Sequence, residues 1–325
     1  MHRKNPAAPR ALSRVLLAAA LGLAVSATVA PPAHAADMSF EPGPVDSPHY
    51  WGKIIEGEDA QAHAWLVRSS QLPGAADTTL VQAHSHDKKL PRTVNTGAAP
   101  ADLRAGQFPL GRATEGIAVA VDGKLPPKKP GGDLVDAKGA VFAGVTAKSL
   151  DIGLPYWTGG QGTPALSPIG LHLENVSTTA TAAPGKPVAF KRNPVKGYLS
   201  LLGQKMIEVP KDFPVGELPN FGGIISPKKG TTPAISLVLN EQVSTDAKGQ
   251  PTLGKDGKYA FDEQASSGYT NAFHFTLLGT NAADLTVGHA AALSSAPVTA
   301  PGKTGAAGRT GAAGKDGRPA KGTRS

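Results

Sequence analysis

The chain has 325 residues, of which 40% are hydrophobic and 5% aromatic, with no cysteine and a formal net charge of +8. The missing cysteines exclude a disulfide framework, thiol catalysis and thiolate metal sites, so stability rests on burial and hydrogen bonding. Residues 1–35 carry 4 basic and no acidic side chains, residues 299–325 carry 6 basic and 1 acidic, and the body between is left at −1; a near-neutral body poor in aromatics lacks the electrostatic footprint of a nucleic-acid binder.

In chain order, Arg3, Lys4, Arg10 and Arg14 precede an apolar run over 15–30, and Ala33-His34-Ala35 follows before Ala36. That is the basic, apolar and small-residue order of a cleavable secretory signal peptide. The run is shorter than the roughly 18–20 residues a spanning helix requires, and Pro31-Pro32 interrupts helix before the cleavage site. With no consecutive arginine pair in the basic part, the general secretory route is expected. No later stretch is long and apolar enough to span a bilayer, so the expected product is secreted, extracellular or at the cell-envelope surface.

Residues 36–50 carry several prolines and no periodicity, and are expected to form an extended leader, with ordered structure starting near Trp51. In the N-terminal β region, 51–125, the stretches 62–67 and 117–121 read as strands; the second alternates Ile117, Val119 and Val121 with alanines, a period of two. Between them residues 82–106 read as loop-rich. Residues 126–133 belong to a segment, KLPPKKPGGD, with three prolines and two glycines, expected as a linker or long surface loop. The C-terminal β region, 134–298, which either stands alone or forms one domain with 51–125, offers strands at 140–145, 149–154, 170–176, 235–239, 269–278 and 284–288. Asp256-Gly257 carries the two-residue hairpin signature, and 197–206 is the one candidate for a short helix or a surface turn. Short strands with frequent turn chemistry predict an all-β, mainly antiparallel, sandwich-like body with low helix content.

From Gly302 to Gly317 glycine recurs at every third position before Ala320 breaks the register. This is the collagen period, but six triplets with one proline are too few and too proline-poor to trimerise unaided, which favours a disordered basic tail over 299–325. Lys303, Arg309, Lys315, Arg318, Lys321 and Arg324 are its candidate contacts to anionic cell-wall polymers or other surface components.

Motifs for catalysis are absent: there is no G-x-S-x-G, H-E-x-x-H, G-x-x-x-x-G-K-[ST] or G-x-G-x-x-G. Paired carboxylates such as Asp133/Asp136 or Asp262/Glu263 are what surface loops of any protein supply. The best metal candidate is His84-Ser85-His86-Asp87, whose two imidazoles point the same way if the segment is extended, with His63 as a further ligand; a solvated loop is the plainer expectation, and no cofactor is assigned. Asp246, Asp256 and Asp262 lack the calcium-loop spacing. His172 and His274 sit in strand contexts opposite Leu171/Leu173 and Phe273/Phe275, as hydrogen-bonded packing or solvent-facing residues rather than catalysts. The segment LPYWTGG differs from a sortase signal in spacing and position, and Asn175-Val176-Ser177 matches the N-glycosylation pattern without other support.

Toward the C-terminus, ISLVLNEQ, then GYTNAFHFTLLG, then ADLTVGHAAA (within 235–292) resemble the closing strands of actinobacterial exported proteins described as choice-of-anchor P. The middle motif departs from that pattern at Thr270, where valine is usual, and the insert over 246–263 is long. The resemblance implies a surface-displayed or secreted β-rich protein of unassigned activity with a variable C-terminal anchoring device, here the basic tail.

The function expected from the sequence is therefore a secreted or envelope-associated, non-catalytic structural or binding protein. The alternatives are a secreted hydrolase with a carboxylate or His-bound metal site, and a collagen-like trimeric surface protein. The oligomeric state is open.

Overall fold

A computed structural model describes residues 38–44, 52–72, 77–129, 132–154, 167–193, 195–201, 203–209, 211–213, 220–226, 234–246, 248–255, 260–277, 283–296 and 298. Among them there are sixteen strands and no helix. In chain order these are β1 (Ser39–Pro44), β2 (Ala60–Ser70), β3 (Thr78–His84), β4 (Thr93–Asn95), β5 (Ala101–Ala105), β6 (Phe108–Thr114), β7 (Ile117–Leu125), β8 (Val135–Leu154), β9 (Ile169–Ala182), β10 (Ala189–Arg192), β11 (Lys196–Leu201), β12 (Gln204–Val209), β13 (Phe221–Ser226), β14 (Ile235–Thr245), β15 (Ser267–Leu277) and β16 (Ala283–Ser294).

One sheet has seven strands in the order β1-β13-β14-β15-β16-β2-β3. The other has nine, along β12-β11-β9-β8-β6-β5, with β10 on β9, β7 on β8 and β4 on β7. Every strand pair is antiparallel, and the two sheets face one another as a sandwich across contacts of β2 with β7 and β8 and of β16 with β8 and β9. Alternation of apolar side chains drives this packing: Leu237, Leu239, Phe273 and Phe275 from one sheet meet a core shared with Leu150, Leu171, Leu173 and Val176 from the other.

Three expectations change, and one pair of alternatives narrows. The leader is not simply extended: Ser39 to Pro44 pairs with β13 as an edge strand, and Phe40 packs its ring 6.0 Å from Phe213. The helix-or-turn candidate at 197–206 is a strand hairpin, β11 and β12, turned at Gly203 with φ 78°. The loop-rich stretch, 82–106, contains the end of β3 and all of β4 and β5. Of the two alternatives for the Pro/Gly segment, linker or surface loop, the pairing of Leu125 with Val135 gives the loop, since the segment joins the paired ends of β7 and β8. Strands from both sides of that loop build both sheets, because β2 lies between β16 and β3. Trp51, Asp256-Gly257, residues 155–160 of LPYWTGG, residues 1–37 and the tail from 299 lie outside the described residues.

Candidate functional site

The seven-stranded sheet breaks its own alternation along one row. On β15 the consecutive residues Ala272 and Phe273 both belong to the main core, as do Leu66 and Val67 on β2. In the same row Asn240 and Gly288 adopt φ of 53° and 64°. Asparagine tolerates this left-handed conformation and glycine takes it freely. Gly288 is required twice over, since a Cβ there would lie 2.9 Å from the Ala272 Cβ and 3.0 Å from Val176 Cγ1. Beyond this row the outward side chains are Glu241, Asn271, His289 and Trp65, paired across the four strands. Before it they include His274, Asp284 and Thr286. The slip thus brings two outward polar groups together that strict alternation would have separated.

His274 is the centre of the result. Its Nδ1 lies 2.9 Å from Glu241 Oε2, and its Nε2 lies 2.8 Å from Asp284 Oδ1. Glu241 and His274 are 1% and 2% exposed, while Asp284 retains 14%, so only one end of the triad meets solvent. A carboxylate accepts, so both ring nitrogens of His274 carry hydrogens and the ring is an imidazolium. Burial alone would pull its pKa down; the charge of Glu241 and the hydrogen bonds to Asp284 and Glu241 outweigh burial and raise it to about 10.

From Glu241 a chain of donors and acceptors runs across the sheet. Asn271 Nδ2 donates to Glu241 Oε2, which turns Asn271 Oδ1 toward His289 Nδ1 at 2.7 Å. His289 must therefore donate from Nδ1, and as a neutral ring it accepts at Nε2 from His63 Nε2, 2.9 Å away. The negative charge of Glu241 thus sets the amide orientation of Asn271 and, through it, the tautomers of both histidines. Trp65 stacks on His289 with centroids 3.5 Å apart and donates from Nε1 to Thr286 Oγ1. His84 stacks on His63 at 5.7 Å.

The residues singled out for metal binding are engaged otherwise. His84 is buried; its Nδ1 accepts the backbone N–H groups of His86 and Asp87, and its Nε2 donates to Lys53 O at 3.1 Å. Burial holds its pKa below the ordinary value, ahead of opposing contributions from the Lys53 carbonyl and Asp87. His86 Nδ1 faces Glu58 at 3.2 Å, and Asp87 pairs with Lys53 at 2.8 Å. His63 gives its Nε2 to His289. Among the described residues, no three His, Asp or Glu side chains are placed to hold a metal. Of the carboxylates, Asp136 pairs with Lys124, while Asp246 and Asp262 accept backbone N–H groups of their own turns.

His172, half-buried on the other sheet, joins Asp151 of β8 at 2.6 Å and Glu174 at 3.3 Å, beneath the ring of Tyr198. The Asp151 hydrogen bond raises its pKa against the pull of burial. A crevice lined by Ile152, Leu154, Leu171, Leu199, Phe275 and Leu285 is wholly apolar and offers no group for chemistry.

Sequence reasoning placed His274 on a strand as either a hydrogen-bonded packing residue or a solvent-facing one, of which the structure shows the first, and missed Glu241, Asn271, Asp284 and His289. The one signal present was the run of polar residues Asn240-Glu241-Gln242 in an otherwise apolar strand, which marks Glu241 but not its partners. No protein-family model, no curated protein and no solved structure matches the chain.

Proposed function

We propose that the chain is a secreted or cell-envelope-associated structural or binding protein without catalytic activity. The observation that carries the reading is that Glu241, His274, Asn271 and His289, the richest set of potential catalytic groups among the described residues, are buried and bond to one another inside the strands. Such a closed set fixes protons in place. General acid–base work needs a group within hydrogen-bond reach of a substrate proton.

In this reading the β body is displayed outside the cell, and Lys303, Arg309, Lys315, Arg318, Lys321 and Arg324 retain it by attraction to anionic wall polymers. The separation of a body at −1 from a tail with 6 basic and 1 acidic side chains supports a division of labour between display and retention. The resemblance of the last strands to choice-of-anchor P proteins agrees with it. Retention by exposed charges weakens as salt shortens the screening length to about 3 Å at 1 M.

The test is fractionation of the native host's culture with the intact protein and a version ending at Val298, at low and high salt. The expected result is an intact protein that stays with the envelope and washes off in salt, and a truncated one that runs into the medium. Equal release of both forms rejects the tail as a tether.

A further inference from the structure

On β7 the small side chains face in and the large ones face out. Ala118 and Ala120 are buried in the shared core, while Ile117, Val119 and Val121 are part-exposed on the opposite side and take no part in it. β8 follows the same plan: Val141, Ala143 and Val145 belong to the core, and Phe142 between them does not. The inward side chains can be small because β2 and β16 pack on these strands with alanines of their own, Ala62, Ala64, Ala290 and Ala292. An antiparallel sheet with one face in water alternates apolar inside with polar outside, and here the apolar bulk is outside.

Strand register assembles these side chains into a patch across four strands. Its middle row is Thr93, Val119, Gly144 and Thr179, one each from β4, β7, β8 and β9. On one side the next row is Asn95, Ile117, Thr146 and Ser177; on the other it is Val121, Phe142 and Thr181. None of these residues carries a charge. A Cβ on Gly144 would lie 3.0 Å from Phe142 Cζ, so the ring lies along the sheet over the glycine and the patch stays level. At its two ends charges stand in pairs, Lys148 with Glu115 beyond Ile117, and Arg92 with Asp122 and Lys124 with Asp136 beyond Val121. An uncharged centre with a charged rim is the anatomy of a protein interface.

We infer that this face joins two copies of the chain, packed sheet on sheet about a two-fold axis that lies in the interface along the middle row. Such an axis sets Val119 against its own copy and lays the Ile117 end of one face over the Val121 end of the other. Each end then meets charges of both signs, and no block of like charge opposes it. Lys191 of β10, beside Thr179 at the margin, keeps its ammonium in water. Threonine, valine and isoleucine are side chains that interdigitate between sheets stacked about 10 Å apart. Four strands about 4.8 Å apart and three rows about 7 Å apart give roughly 400 Å² of uncharged centre; the charged ends and β10 bring the contact to roughly 800 Å² per copy, the size of a specific interface. A sugar polymer fits the patch less well, because its one aromatic ring, Phe142, is only 8% exposed for stacking. The contact uses no residue of the basic tail, so it stands or falls independently of the tether.

Sedimentation velocity of the full mature chain from about 1 to about 100 μM tests this, in about 0.5 M salt so that contacts of the tail are screened. A dimer with a micromolar dissociation constant is expected. Val119→Lys sets two ammonium groups against each other at the axis and should weaken the dimer at least about tenfold, and Thr179→Lys should do the same from β9. Leu253→Lys, at the most exposed large apolar side chain, should leave it unchanged. Both row variants replace side chains outside the core, and far-ultraviolet circular dichroism checks that they fold; if one does not, the other decides. A chain that stays monomeric to about 100 μM overturns the inference and leaves the face to a partner other than this chain. A dimer that survives the row variants overturns it too, as does a trimer, which would place the contact in the tail.

Discussion

A buried imidazolium is stable here only because two carboxylates hold it. Taking Glu241 away leaves His274 charged with Asp284 alone, and breaking one side of such a pair costs about 3–5 kcal/mol. Glu241→Gln should lower the urea-unfolding free energy by that amount; a loss under about 1 kcal/mol would show that the triad contributes little. The pH dependence has a definite sign. Because the folded pKa of His274 is raised to about 10, its contribution is fully present below about pH 6.5 and is lost as pH rises through about 10. Melting temperature measured from pH 6 to pH 11 should therefore fall progressively from about pH 6.5 and level off above about pH 10, and His274→Gln should lack that slope while starting from a lower value. His172 has the same sign in a weaker form, being more exposed and screened by solvent.

Within the strands, the decisive device is the slipped row through Asn240, Ala272, Gly288 and Leu66. A side chain on Gly288 meets both a left-handed φ and the crowding of Ala272 and Val176. Gly288→Ala should cost about 1–3 kcal/mol by chemical denaturation, and an unchanged midpoint would mean that the row relaxes at little cost. Strands in this chain were legible wherever apolar residues alternate, as at Ile117, Val119 and Val121 or Leu171 and Leu173. The slip was not legible, because the glycine and asparagine that permit it are residues that also end strands, and nothing local says which they do. The β11–β12 hairpin was missed for a related reason. Leu199 and Leu201 face the core with a period of two, but two such positions before Gly203 are too few to separate a strand from a turn of helix.

The whole molecule is joined by the placement of β2 and β3 beside β16. Separating residues 51–125 from 134–298 would expose the edge of β16 along its length and leave β2 and β3 as an isolated pair, and the two parts share one core through Leu66, Val67, Leu103 and Ala118. The body should unfold in one cooperative transition, with near-ultraviolet and far-ultraviolet circular dichroism superimposing through the denaturant range. Two resolved transitions would show that the halves are separately stable.

The sequence by itself determined the all-β class, the positions of most of the longer strands, and the separation of a near-neutral body from two basic ends. These follow from composition and from periodicity along a few neighbouring residues, which local sterics and burial control directly. Only the tertiary structure decided that β1 closes an edge, that the Pro/Gly segment turns a hairpin, and that Glu241, His274 and Asp284 form one triad. The carboxylates come from β14 and β16 and the histidine from β15 between them. Their meeting depends on antiparallel register and on a side-chain slip shared by five strands, β14, β15, β16, β2 and β3, and no spacing along the chain encodes either.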